Sequence, residues 1–96
     1  MAQAALLTGA MPGAASQHRE DLYRRIVQAL VVARREAKLR QVDVAERVGW
    51  PQVYVSRYEN HERSLDMAEY VEVARAIGVD PVALLADVLA ELARSP

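Results

Sequence analysis

Apolar residues return every three or four positions along most of this chain, which is the spacing of helices that bury one face. In "REDLYRRIVQALVVARREAK", Leu22, Ile26, Leu30 and Ala33 form one stripe with Tyr23, Val27 and Val31 beside it, predicting a helix from Glu20 to Ala37. "RQVDVAERVG" follows, with Val44, Ala45 and Val48 on one face and Gly49 placed to close the helix in a left-handed conformation. "PQVYVSRYEN" then predicts a short helix with Pro51 at its first position, where a missing N–H costs nothing. The two short helices meet through a turn of about three residues that contains glycine. Downstream, Asp66 and Glu69 make a capping box ahead of a stripe at Met67, Tyr70, Val71, Ala74 and Ile77, ended by Gly78. Asp80 and Pro81 open a last helix lined by Val82, Leu85, Val88, Leu89 and Leu92. Five helices with short links are expected.

Composition narrows the class without changing this picture. Ninety-six residues at 52% hydrophobic content suit one small domain with a modest core. With no cysteine, disulfides and thiolate metal sites are excluded, which fits a reducing cytosol. The net charge of -1 gives no whole-chain case for an anionic partner. Its distribution says more: His18 to Arg63 carries ten basic against seven acidic residues, and Ser64 to Pro96 two against six. No apolar run approaches membrane-spanning length. Residues 1–18, "MAQAALLTGAMPGAASQH", lack the basic start of a secretory signal and are interrupted by Gly9, Pro12 and Gly13. They are expected to form a disordered arm ahead of a domain over 19–96.

The question is why "PQVYVSRYEN", a helix under three turns long, holds so many amides, hydroxyls and charges. The run "LRQVDVAERVGWPQVYVSRYENHERSLDMAEYVEVARAIGVD" resembles the Xre/Cro family of phage-repressor-like helix-turn-helix regulators. The resemblance rests on Leu39, Gln41, Val44-Ala45-Glu46, Gly49, Val55-Ser56-Arg57, Glu59-Asn60, Ala74 and Gly78. It implies an all-α, five-helix, lambda-repressor-like DNA-binding domain with the helix-turn-helix at helices 2 and 3. Ala45, Val55 and Gly49 are structural on any reading: a tight helix crossing needs the first two, and a chain reversal the third. Pro51, His61 and Leu65 depart from the family's Ser or Thr, Gly and Pro, so His61 is expected at positive φ.

On this resemblance the short third helix is the recognition helix, and its front residues reach base edges in the major groove. Gln52 suits adenine N6 and N7, and Val53 offers a methyl surface to a thymine methyl. Arg57 is placed either for guanine O6 and N7 or for a phosphate. Tyr54, Asn60 and Arg63 are expected on phosphates, which position a protein without reading sequence. Gln41 resembles the family glutamine that touches phosphate and braces the first recognition residue. Arg34 and Glu59 correspond to a family ion pair, bidentate and partly buried, that orients the recognition helix. Leu85, Val88, Leu89 and Leu92 are expected to meet a second copy, the rival being an intramolecular cap over helices 1 and 4.

The implied partners are double-stranded DNA and a second copy of the chain, with no membrane and no cofactor, in the cytoplasm and on the nucleoid. The rival reading is a protein-interaction module, most sharply an antitoxin that binds a partner protein and represses its own operon. Catalysis has little to rest on: there is no Ser/His/Asp arrangement, no phosphate-cradling glycine loop and no metal set, since the only other histidine beside His61 is His18. Trp50, Tyr58 and Tyr70 are expected as packing residues, the tyrosines with wet hydroxyls.

Overall fold

The computed structural model describes residues 12–94, which form α1 (Pro12–Glu36), α2 (Gln41–Val48), α3 (Gln52–Glu59), α4 (Met67–Ile77) and α5 (Pro81–Arg94). No strand occurs among the described residues. The first helix starts at Pro12, well ahead of the expected Glu20, so residues 12–18 of the expected arm are helical; residues 1–11 lie outside the described residues. Proline fits a first helical turn and alanine is the strongest helix former, which Pro12, Ala14 and Ala15 supply. The apolar stripe marks where a helix meets the core, not where it begins: Gln17 to Asp21 are exposed, and burial starts at Leu22.

The core takes side chains from all five helices. Val27, Leu30 and Val31 of α1 meet Val44 and Ala45 of α2, Val55 and Tyr58 of α3, and Tyr70, Val73, Ala74 and Ile77 of α4. Leu84 and Val88 of α5 close one side. Each large apolar residue so buried contributes about 1.5–3 kcal/mol before the cost of ordering it. Two of the expected stripes are corrected. In α4, Met67 is 75% exposed and Val73 is fully buried, because the buried set is Tyr70, Val73, Ala74 and Ile77 at helical spacing. In α5, Val82 is 75% exposed, and Leu84 joins the expected Val88 in facing the core. The tyrosine hydroxyls are not wet either. Tyr58 is wholly buried with no hydrogen-bond partner for its hydroxyl among the described residues, and burial pushes its pKa up. The Tyr70 hydroxyl donates to the Pro81 carbonyl at 2.6 Å.

Local chemistry sets the helix ends. Asp66 accepts from the Glu69 N–H at 2.7 Å and Glu69 accepts from the Asp66 N–H at 3.0 Å, the expected capping box. Asp80 caps α5 through the Val82 N–H at 2.8 Å. Pro51 stands one place earlier than expected, as the N-cap of α3. At their C-termini, α1 to α4 each end on a left-handed residue: Lys38, Gly49, His61 and Gly78. Each is followed by an N–H that reaches back five residues, from Leu39 to Arg34, Trp50 to Ala45, Glu62 to Arg57 and Val79 to Ala74. Glycine does this freely; Lys38 and His61 do it at φ 61° and 62° with a Cβ in the way.

His61→Gly should therefore stabilise the fold by about 0.5–1 kcal/mol, less than the full left-handed penalty because glycine also frees the unfolded chain. Thermal melts of the two proteins measure it. A lower midpoint for the glycine variant would mean that the His61 side chain supports the loop through contacts of its own.

Candidate nucleic-acid interface

The third helix buries Val55 and Tyr58 and turns Gln52, Val53, Tyr54 and Arg57 outwards, with Asn60 exposed at its C-cap. Val55 and Tyr58 anchor the helix in the core. Polar contacts then fix its orientation. The Arg34 Nε donates to Glu59 Oε2 at 2.7 Å and its Nη2 to Glu59 Oε1 at 2.9 Å, a bidentate pair between α1 and α3. Both side chains are nearly buried, at 10% and 6% exposure. The remaining Arg34 nitrogen, Nη1, donates to the Leu39 carbonyl at 2.9 Å, which ties in the α1–α2 link. Hydrogen bonding to Glu59 raises the Arg34 pKa above its ordinary value, so the guanidinium stays charged.

The same carboxylate carries the order outwards. Gln41, the first residue of α2, donates from Nε2 to Glu59 Oε1 at 2.9 Å. Its Oε1 then accepts from Gln52 Nε2 at 2.8 Å. Arg34, Glu59, Gln41 and Gln52 thus form one chain of hydrogen bonds from a buried cation to an exposed amide. Gln52 keeps its Oε1 and one N–H free, the acceptor and donor that a bidentate contact to an adenine edge requires. Beside it Val53 and Tyr54 are exposed, and Arg57 is exposed with no partner among the described residues. Asn60 lies one turn past Ser56, whose hydroxyl accepts from Asn60 Nδ2 at 3.4 Å.

Arg63, expected on a phosphate, also has partners within the protein. Its guanidinium carbon lies 5.2 Å from the Trp50 ring centre and 5.0 Å from that of Tyr54. Its Nη2 donates to Glu69 Oε2 at 2.6 Å. The two rings meet edge to face at 6.5 Å. Arg63 thus has partners within the protein while its side chain stays 28% exposed, and it fastens the α3–α4 loop to the front of α3 and to α4. Trp50 is half-buried against the core, as expected of a packing residue. Sequence reading misses this cluster because Trp50, Tyr54, Arg63 and Glu69 lie on four segments: the α2–α3 turn, α3, the α3–α4 loop and α4. A lone tryptophan beside a turn glycine is its one visible trace.

The start of α2 carries a further pair that the sequence reading passes over. Asp43 accepts from the Arg40 guanidinium at 2.9 Å and from the Arg40 backbone N–H at 2.7 Å, which holds its carboxyl down to about 2. Of the residues expected to meet a second copy, Val88 is in the core, Leu85 and Leu92 are half-buried, and Leu89 is 49% exposed. With Val82 in place of Val88, an outward seam runs Val82, Leu85, Leu89, Leu92 at spacings of three, four and three.

Residues 32–84 match the family model HTH_3, described as helix-turn-helix. Among solved structures, an XRE-family like protein from Pseudomonas syringae pv. tomato str. DC3000 is 38% identical, with a TM-score of 0.79 over 81% of this chain and 95% of that one. A mutant of the restriction-modification controller protein C.Esp1396I shares the fold at 17% identity, with a TM-score of 0.69 over 78% of this chain and 95% of that one. No curated protein sequence matches the chain.

Proposed function

Because the chain belongs to the XRE family of helix-turn-helix proteins, DNA-binding regulators of transcription, we propose that it binds a near-palindromic operator as a homodimer and represses from it. The observation that carries this reading is the hydrogen-bond chain ending on Gln52. A base reader held by Gln41 is ordered before it meets DNA, so less side-chain entropy is lost on binding. Gln52 reads adenine, Val53 packs on a thymine methyl, and Arg57 reaches a guanine or the neighbouring phosphate. Gln41, Tyr54, Asn60 and Arg63 touch the backbone, Arg63 while resting against the edge-to-face Trp50–Tyr54 pair.

The exposed seam on α5 supports the dimer. Val82 and Leu89 are large, apolar and uncovered, on the acidic part of the chain that a polyanion would avoid. An isologous contact there relates two copies of α3 by a two-fold axis, and successive major grooves on one side of DNA lie about 34–36 Å apart. Repression follows from occupancy, since a dimer filling two grooves excludes other proteins from that stretch.

Selection of bound duplexes from a random pool tests class and symmetry together: a palindrome should be enriched, and a pool left unenriched would end the operator reading. Val82→Glu with Leu89→Glu should give a folded monomer with much weaker operator binding, as both residues already face solvent in the single chain. Sedimentation of the unmodified protein as a monomer, both free and on bound operator, would remove the dimer.

A further inference from the structure

Beyond Asn60, the α3–α4 loop does not run into open solvent. The left-handed turn at His61 reverses the chain, and the Leu65 N–H donates to the Tyr23 hydroxyl at 2.8 Å, which fixes the loop beneath the N-terminal part of α1. Between them is an open notch of about 660 Å³ lined by Arg19, Glu20, Tyr23, Arg24, His61 and Ser64. No large aliphatic side chain lines it, so burying an apolar group there would gain little. Its chemistry is that of an anion site: two guanidinium groups, an imidazole, a serine hydroxyl and the Tyr23 hydroxyl, which accepts from Leu65 and keeps its own proton to donate.

We propose that this notch holds a phosphate of the DNA backbone outside the base pairs read by α3, with Arg24 as its principal contact. The proposal rests on the DNA-binding reading above and extends that interface to α1. Three features favour it. The notch is joined to the recognition helix through the chain, because its lining residue His61 directly follows Asn60, the C-cap of α3. Arg24 is exposed and has no hydrogen-bond or ion-pair partner among the described residues, whereas Arg25 beside it is paired with Asp21 at 3.1 Å. Arg19 has a contact of its own, so the argument does not depend on it. The third is the course of α1: Gln17 to Asp21 are exposed, so that side of the notch is a solvent-facing helix turn and not core.

Glu20 opposes an anion in the same notch, which makes the proposal testable in both directions. Affinities would be measured against salt for the unmodified protein, Arg24→Gln and Glu20→Gln. Two duplexes from the random-pool selection would be used, one ending at the enriched site and one extended on both sides. On the extended duplex Arg24→Gln should lower the slope of log K against log salt by about 1 per subunit, with base preference unchanged. Glu20→Gln should bind the extended duplex more tightly, a result that damage to the fold cannot produce. On the trimmed duplex all three should coincide. Equal slopes for Arg24→Gln and the unmodified protein on the extended duplex would overturn the proposal. If Gln52→Ala relaxes base preference while Arg24→Gln changes nothing, this site alone fails; if no duplex binds, the DNA-binding reading fails with it.

Discussion

Arg34→Ala should destabilise the domain by about 3–5 kcal/mol, a large part of the stability of so small a fold. The reason is less the lost attraction than the group left behind. Glu59 is nearly buried, and without Arg34 its carboxylate keeps only the Gln41 amide as a partner. The Leu39 carbonyl loses its donor as well. In a chain of this length the melting midpoint should fall by more than about 10 °C. The double substitution Arg34→Met with Glu59→Leu should regain much of that loss, because removing both charges also removes their desolvation cost. It should still bind DNA poorly, since Gln41 then has no acceptor at Glu59 and Gln52 loses its ordered support. Thermal melts of the two single variants and the double form the cycle. Losses that simply add would show that the two residues do not interact.

Gln52→Ala should weaken binding to the preferred site by roughly 1–3 kcal/mol and relax preference at one base pair in each half-site. The hydrogen-bond chain sharpens this expectation. Gln41→Ala removes the acceptor that holds Gln52 Nε2, so it should blur preference at the same base pair while Gln52 is still present. The two changes together should cost less than the sum of each alone, because Gln41 acts partly through Gln52. Gel-shift titrations with all four bases at each position separate the outcomes. Uniform weakening across every sequence would reduce Gln52 to a backbone contact, and unchanged binding would take it off the interface.

Features that depend on residues close along the chain are legible before any fold is known. The helical period gives the five helices, Asp66 and Asp80 announce two starts, and Gly49 and Gly78 two ends. His61 at positive φ follows the same logic, because one residue must turn left to let the next N–H reach back. The Arg34–Glu59 pair is legible only through the family resemblance, as nothing within the chain links residues so far apart in sequence.

Tertiary structure decides whatever depends on which surfaces meet. In α5, Val82, Leu84, Leu85, Val88, Leu89 and Leu92 cover more than one face, so periodicity cannot say which edge is core. Packing against α1 and α4 selects Leu84 and Val88 and leaves Val82 and Leu89 outside. Lys38 turns left-handed because the closing of α1 demands it, although nothing in its own side chain favours that conformation. Arg63 reads as a solvated cation until Trp50, Tyr54 and Glu69 arrive from other segments and set its guanidinium against two rings and a carboxylate, with Nη1 buried and without a hydrogen-bond partner among the described residues. A side chain's type sets which contacts it can make, and only the fold sets which of them are within reach.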